Sequence, residues 1–257
     1  MKLYNICFSA RGTTQACAST IASGMNMETV SCNWLEKPCT EPMAIAREDR
    51  LLFSMPVYAG YIPKLCAKML KNLQGDETPA VIAAVYGNRH YDNALLQMKD
   101  LLKKQGFHVV AAGAFVAEHS IFTSVAKGRP DEEDRKAMAD FGVQCARLFG
   151  KDSCPEVRVP GDPAYNADIA INLPFKPDAD DTCTECGACA DICPTHAIEK
   201  ENIRVTARPE LCINCGACMK VCPTGARGYH SAVYEGARAG FEQRCAAYRT
   251  PETFFPG

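Results

Sequence analysis

Eight of the sixteen cysteines fall into two runs with one spacing. The first reads Cys183-x2-Cys186-x2-Cys189-x3-Cys193-Pro194, and the second Cys212-x2-Cys215-x2-Cys218-x3-Cys222-Pro223. Cys212 follows Cys183 by 29 positions, as Cys222 follows Cys193, and both runs carry Cys-Gly-Ala-Cys and Cys-Pro-Thr. The pattern is an internal repeat. A cubic [4Fe–4S] cluster needs thiolates at the corners of a tetrahedron. Three ligands two residues apart can come from one tight loop that wraps three corners. The fourth corner faces away, so its ligand must come from elsewhere. Gly187 and Gly216 open backbone angles closed to other residues, and the amides around them can point at cluster sulfurs. Pro194 and Pro223 remove a donor and bend the chain. Structural zinc usually takes two well-separated Cys-x2-4-Cys pairs, four ligands to one ion. Four cysteines within eleven residues, followed by proline and then repeated, fit two [4Fe–4S] clusters better.

The run resembles that of bacterial two-cluster ferredoxins, whose fourth cysteine ligates the other cluster. The resemblance implies that Cys183, Cys186, Cys189 and Cys222 hold one cluster. Cys212, Cys215, Cys218 and Cys193 then hold the second.

The elements ahead of these runs alternate between strand and helix. Strands are expected at Lys2–Phe8, Glu28–Asn33, Arg50–Val57, Ala80–Tyr86 and Phe107–Ala117. Helices are expected at Thr13–Ser23, Ile62–Leu73, His90–Gln105 and Pro130–Phe149. Leu95, Met98, Leu101 and Leu102 form one stripe of the third helix. Acidic residues 131–134 favour the start of the fourth. Such alternation predicts a parallel sheet covered on both faces. Ligands bind such sheets outside the carboxyl ends of the strands. Three loops there carry chemistry. Ser9-Ala10-Arg11-Gly12-Thr13-Thr14 offers hydroxyls, a guanidinium and the amides of a helix N-terminus, a setting for a phosphate monoester. It is neither Gly-x-Gly-x-x-Gly nor Gly-x4-Gly-Lys-Ser/Thr, so neither a Rossmann dinucleotide nor an NTPase is expected. Pro56-Val57-Tyr58-Ala59-Gly60-Tyr61-Ile62-Pro63 is a stiff turn able to stack an aromatic ring. Tyr86-Gly87-Asn88-Arg89-His90-Tyr91-Asp92 repeats that mixture.

On these loops, residues 1–150 resemble a flavodoxin. Ser9–Thr14 is similar to that family's phosphate loop, usually Ser/Thr-x-Thr/Ser-Gly-x-Thr, and departs from it at Arg11. The resemblance implies strand order 2-1-3-4-5 and an FMN, its phosphate on Ser9, Arg11, Gly12, Thr13 and Thr14. The isoalloxazine is expected between Pro56–Gly60 and Tyr86, Gly87, Asn88, Tyr91 and Asp92, stacked on either Tyr58 or Tyr91. The whole chain resembles the flavodoxin–ferredoxin fusions called ferrodoxins, with Tyr-Gly-Asn-Arg-x-Tyr-Asp (86–92) and Ala-Glu-His-Ser (117–120) as further blocks. His119 and Glu118, after the fifth strand, are expected at the ligand end. His119 is the candidate proton relay, because histidine titrates near neutral pH, and the alternative is a loop anchor or a satisfied hydrogen-bond partner.

The expected fold class is an α/β doubly wound, flavodoxin-like, parallel five-stranded sheet with a small α+β two-cluster ferredoxin domain. The FMN domain is expected at 1–150, a proline-rich linker at 151–177, the cluster domain at 178–228, and a C-terminal helix and tail at 229–257. A short hairpin is expected at Glu199–Val205. An amphipathic helix is expected at Ser231–Tyr248, with Val233, Ala237 and Phe241 on one stripe. Phe254-Phe255 is expected to dock the tail on the first domain, with a partner contact as the alternative.

The chain has 257 residues and a formal net charge of −2, with no basic footprint for nucleic acid. Residues 1–150 carry a net +2 and residues 151–257 a net −4. The other eight cysteines show no paired spacing and are expected as small buried hydrophobes or free thiols. The longest apolar runs are too short to span a bilayer, and no secretory leader is expected. A reducing cytoplasm suits such thiols and clusters. The function expected is electron transfer between two clusters and FMN, with redox proteins as partners. An FMN-dependent reductase of a small-molecule acceptor is the second reading. A flavin-free flavodoxin-like scaffold for a ferredoxin is the third.

Overall fold

The apolar runs at 51–53 and 80–86 are continuous because both their faces are covered. In the computed structural model Leu51, Phe53, Ile82 and Ala84 enter one core, and Leu52, Val81, Ala83 and Val85 the other. The structure describes residues 1–150, 154–168 and 172–257. The strands are β1 (Leu3–Cys7), β2 (Thr29–Asn33), β3 (Met43–Ile45), β4 (Arg50–Pro56), β5 (Leu73–Gly75), β6 (Thr78–Tyr86), β7 (Phe107–Val116), β8 (Asp178–Ala179), β9 (Arg227–Gly228) and β10 (Glu252–Phe254). The α-helices are α1 (Thr13–Met25), α2 (Lys64–Met69), α3 (Ala94–Lys104), α4 (Glu132–Phe149), α5 (Ala188–Asp191), α6 (Ala217–Val221) and α7 (Ala232–Arg244).

The main sheet runs β10-β7-β6-β4-β1-β2. All neighbours are parallel except β10, which is antiparallel to β7. Counting only the five long strands, this is the order 2-1-3-4-5 of a doubly wound flavodoxin-like domain. Leu95, Met98 and Leu102 of α3 join Cys66 and Leu70 on one face. Cys17, Ile21 and Met25 of α1 and Met138, Phe141 and Cys145 of α4 cover the other. Helix α4 starts after Asp131 rather than at Pro130, because a capping box forms there. The Asp131 carboxylate accepts from the Asp134 amide (2.9 Å), and the Asp134 carboxylate from the Asp131 amide (3.0 Å).

Several elements differ from the sequence expectation. The sheet has six strands, because the tail adds β10. Helix α3 begins four residues later than expected, since Asp92 takes a positive φ of 40° and its amide bonds the His90 ring. The segment expected as one helix at 62–73 is split, with α2 followed by a 3-10 turn at Leu70–Asn72 and β5. Residues 199–205 hold a 3-10 turn at Lys200–Asn202 rather than a hairpin. The small sheet instead pairs β8 with β9 across both cysteine runs. Helix α7 turns Tyr234, not Val233, inward; Val233 is 54% exposed. The described part of the expected linker packs along α3 and β7. The Val157 amide bonds Val109 (2.9 Å), Glu156 meets Lys99 and Lys103, and the Tyr165 hydroxyl bonds Asp100 (3.2 Å). Its residues 151–153 and 169–171 lie outside the described residues.

The tail returns across the carboxyl end of the sheet. The Asn88 amide donates to the carbonyls of Cys245 (2.7 Å) and Ala247 (2.8 Å), and Arg249 donates to the Asn88 carbonyl. Arg129 donates to the Arg249 carbonyl (2.8 Å) and lies over the Tyr248 ring. Its guanidinium is held by the fully buried Asp134 through two bonds. Phe255 then packs on Phe141. An unpaired guanidinium left by removing Asp134 costs about 3–5 kcal/mol. Asp134→Asn is therefore expected to lower the urea midpoint by a destabilisation of that order. It should also make the tail after Arg244 sensitive to protease, which limited proteolysis checks.

Candidate redox cofactor site

The carboxyl ends of β1, β4, β6 and β7 bring four loops together. Gly12 takes a φ of 94° and α1 opens behind it without a side-chain cap. Its first amides face the loop, where an anion is favoured. Ser9 scaffolds this loop. Its hydroxyl accepts from the Gln15 amide (3.0 Å), and its own amide donates to the Asn33 side chain (3.0 Å). Arg11, Thr13 and Thr14 line a small cavity of about 50 Å³ with Pro56, Val57, Tyr58, Tyr86, Gly87, Glu118 and His119. Cys215 of the second cysteine run closes it.

A larger cavity of about 370 Å³ shares Val57, Tyr58, Tyr86, Gly87, His119 and Ser120 with the first. Ala59, Gly60, Arg89 and His90 add to the sheet side. Its far side comes from Leu173, Pro174 and Phe175, from Ile213 and Asn214 of the second cysteine loop, and from Ala237, Phe241 and Arg244 of α7. The volume suits one ligand ring system. Gly87 is required by close approach, since a Cβ there would overlap the His119 ring.

His119 is a fixed neutral ring. Its Nδ1 accepts from the amides of Ile121 (3.1 Å) and Phe122 (3.0 Å), so the proton sits on Nε2. Burial, and then the Arg89 charge, push its pKa down from 6.5 to about 4. Protonation is disfavoured because the cation would lose both amide bonds and its solvation, which suits the reading of His119 as a hydrogen-bond partner better than as a relay. Tyr58 lies against Cys215, Cys66 and Tyr229, and burial above all holds its hydroxyl protonated.

Of the residues expected at a flavin, Arg11, Thr13, Thr14, Pro56, Val57, Tyr58, Ala59, Gly60, Tyr86 and Gly87 line one or both cavities. Ser9, Gly12, Asn88, Tyr91 and Asp92 do not. Asn88 latches the tail. Tyr91 is in the core, stacked on His90, with its hydroxyl on Glu252 (2.9 Å). Tyr91 therefore cannot stack a ring in the cavity. Asp92 pairs with Arg89 and His90. Tyr61 packs on Tyr165, outside the cavity. Leu173–Phe175, Asn214 and Arg244 were missed, for no local pattern marks residues brought in from distant segments.

The cysteines gather in two sets. Cys183, Cys186, Cys189 and Cys222 line one void together with Arg227. Cys193, Cys212, Cys215 and Cys218 line another. Gly187 (φ 82°) and Gly216 (φ 79°) start α5 and α6, and these two short helices pack on each other. The Ala197 amide donates to the Cys193 sulfur (3.3 Å). Among the described residues no three histidine, cysteine or acidic side chains converge on a single metal ion. The second loop is seated in the main core through Cys215 and Ala217. A side chain at Gly216 would run into the Arg11 stem.

Residues 182–226 match the family model of a 4Fe-4S dicluster domain. No curated protein matches the chain at a significant level. Among solved structures it is similar to a flavodoxin from the domain Archaea, at 15% identity and a TM-score of 0.40, covering 58% of this chain and 99% of that one. It is also similar to a Streptococcus pneumonia TIGR4 flavodoxin, at 13% identity and a TM-score of 0.40, covering 57% and 99%. Rubredoxin oxygen:oxidoreductase from Desulfovibrio gigas is similar at 12% identity and a TM-score of 0.42, covering 58% of this chain and 36% of that one. The class defined by the strand order and the family match is a flavodoxin-like domain joined to a 4Fe-4S dicluster domain. The chain is an iron–sulfur redox protein, and among the described residues no helix is long and apolar enough to cross a membrane.

The His119 geometry predicts its titration. The folded ring stays neutral where an unfolded one is protonated. As pH falls from 6.5 towards 4, the unfolded chain binds the extra proton. About 3 kcal/mol of stability present above pH 6.5 is lost across that window. Nitrogen-15 NMR of the imidazole should show the Nε2–H tautomer down to pH 5. A midpoint near 6.5 contradicts it.

Proposed function

We propose that the chain carries electrons between two [4Fe–4S] clusters and an FMN, joining one-electron to two-electron carriers. The supporting observation is the second cysteine loop: Cys215 closes the small cavity, and Ile213 and Asn214 wall the large one. One cluster site is thus part of the wall of the flavin site. When bound, the clusters supply single electrons and the flavin one or two. Each void offers four thiols and no histidine or carboxylate, a donor set suited to an iron–sulfur cluster. Cys183, Cys186, Cys189 and Cys222 hold one cluster, and Cys193, Cys212, Cys215 and Cys218 the other.

Arg11, Thr13, Thr14 and the first amides of α1 bind the phosphate. Arg11 adds a charge-assisted bond where a hydroxyl is usual. Tyr58 stands where it can stack the ring, between the flavin cavity and Cys215. The His119 Nε2–H is a donor into the cavity that does not change protonation state near neutral pH, so it orients rather than relays protons. Phe122, Phe175 and Phe241 exclude water from above.

Anaerobically purified protein is expected to contain eight irons and one FMN per chain. Four irons, or zinc, overturn the ligand sets, and a missing flavin band favours the scaffold reading. Arg11→Ala is expected to weaken FMN at least tenfold, as loss of a charge-assisted bond requires, with the iron count unchanged. Fluorescence titration of the flavin-depleted protein with FMN measures it.

A further inference from the structure

Arg227 is a buried cation without a buried anion. It lies on β9, five positions after Cys222, and is 3% exposed. Its Nη1 donates to the carbonyls of Ile203 (2.9 Å) and Arg204 (3.0 Å), and its Nη2 to the Thr206 hydroxyl (3.0 Å). All three partners are neutral. Its Nε is fully buried and has no partner. The side chain lines the void of Cys183, Cys186, Cys189 and Cys222. It also lies within reach of Cys218 in the second set.

A guanidinium has five donors and stays charged at every physiological pH. Buried without an anion, it is strongly unfavourable. The neutral partners fix its plane but leave its charge uncompensated and its Nε–H unused. A cluster held by four thiolates is a net anion, and reduction adds one more negative charge. A buried cation against it therefore favours the reduced state. Hydrogen bonds to cluster sulfurs act in the same direction.

We propose that Arg227 is the internal counter-cation of the cluster sites: its Nε–H donates to a sulfur of the cluster held by Cys183, Cys186, Cys189 and Cys222, and its charge keeps that cluster easier to reduce. This rests on the two-cluster reading above. Arg227 is a positioning residue and binds no iron. Its place on the short β8–β9 sheet, where Ala179 pairs with it, keeps it rigid between the two repeats. Its charge reaches the second cluster through Cys218, so both potentials are held up, the first set's more.

The test is an EPR-monitored redox titration of the holoprotein, wild type against Arg227→Gln and Arg227→Lys, each with iron counted. Glutamine keeps polarity and loses charge. Lysine keeps charge and loses the fork. In Arg227→Gln the reduction equilibrium of the first set's cluster is expected to fall at least tenfold, about 59 mV for a one-electron couple. Arg227→Lys should fall less. A merely structural clamp leaves the potentials unmoved in protein that keeps eight irons, and that result overturns the proposal. So does an equal shift in both variants. If Arg227→Gln does not keep eight irons, pulsed EPR of reduced protein labelled with nitrogen-15 arginine decides, in an Arg11→Lys background. Coupling to a guanidinium nitrogen supports the proposal and its absence overturns it. A wild type short of eight irons overturns the two-cluster reading and this inference with it, whereas eight irons with unmoved potentials overturns the inference alone.

Discussion

The structure depends on one seating: the loop Cys212–Cys218 packed on the carboxyl end of the parallel sheet. Cys215 and Ala217 are buried in the same core as Tyr86, Phe53 and Ile82. A loop that only touched the sheet through a linker would let the two halves wander. A continuous core does not, because packed interiors resist changes of even one methylene. Electron transfer slows steeply with distance, so a relay gains from a gap set by packing. The proline-rich segment supports that seating by lying along α3, held by Asn93, Lys99 and Asp100.

The second half of the chain closes over what the first half opens. Helix α7 and residues 173–175 cover the larger cavity with Phe122, Phe175, Tyr234 and Phe241. The cover is pinned by polar bonds made at places that look like ligand positions. Asn88 and Tyr91 sit in a loop rich in aromatic and amide groups, and Asn88 spends its side-chain NH2 and Tyr91 its hydroxyl on the tail. The same chemistry serves a flavin edge or a backbone latch, and only the tertiary position separates the two.

That distinction marks how far the sequence was legible. The five long strands were, because burial on both faces leaves continuous apolar runs at 51–53 and 80–86. The cysteine sets were, because their spacing answers a geometry. The placing of Arg11, Thr13 and Thr14 at the carboxyl end of the sheet was, and there they line one cavity. The sixth strand was not: Glu252–Phe254 is three residues long, follows a proline and pairs only with an edge. The inward face of α7 was off by one residue because a single apolar stripe could not tell Val233 from Tyr234. The state of His119 was hidden as well. Two backbone amides fix its tautomer, and they belong to a turn that only the folded chain forms.

Three arginines share one logic. Arg129 sits on Asp134 and holds the tail through a carbonyl and a ring. Arg11 lies between the phosphate loop and Gly216. Arg227 lies between the two cysteine repeats. Each stands at a joint between segments distant in sequence. Only Arg129 has its anion within the chain. For the others, in the reading proposed here, the anion arrives with the cofactor. A cation at a joint then couples loading to assembly, since the joint is fully compensated only when phosphate or cluster is bound. On that reading the exposed Cys186, next in sequence to Glu185 and a member of the first set, is the outward end of the path. The covered cavity is its inward end.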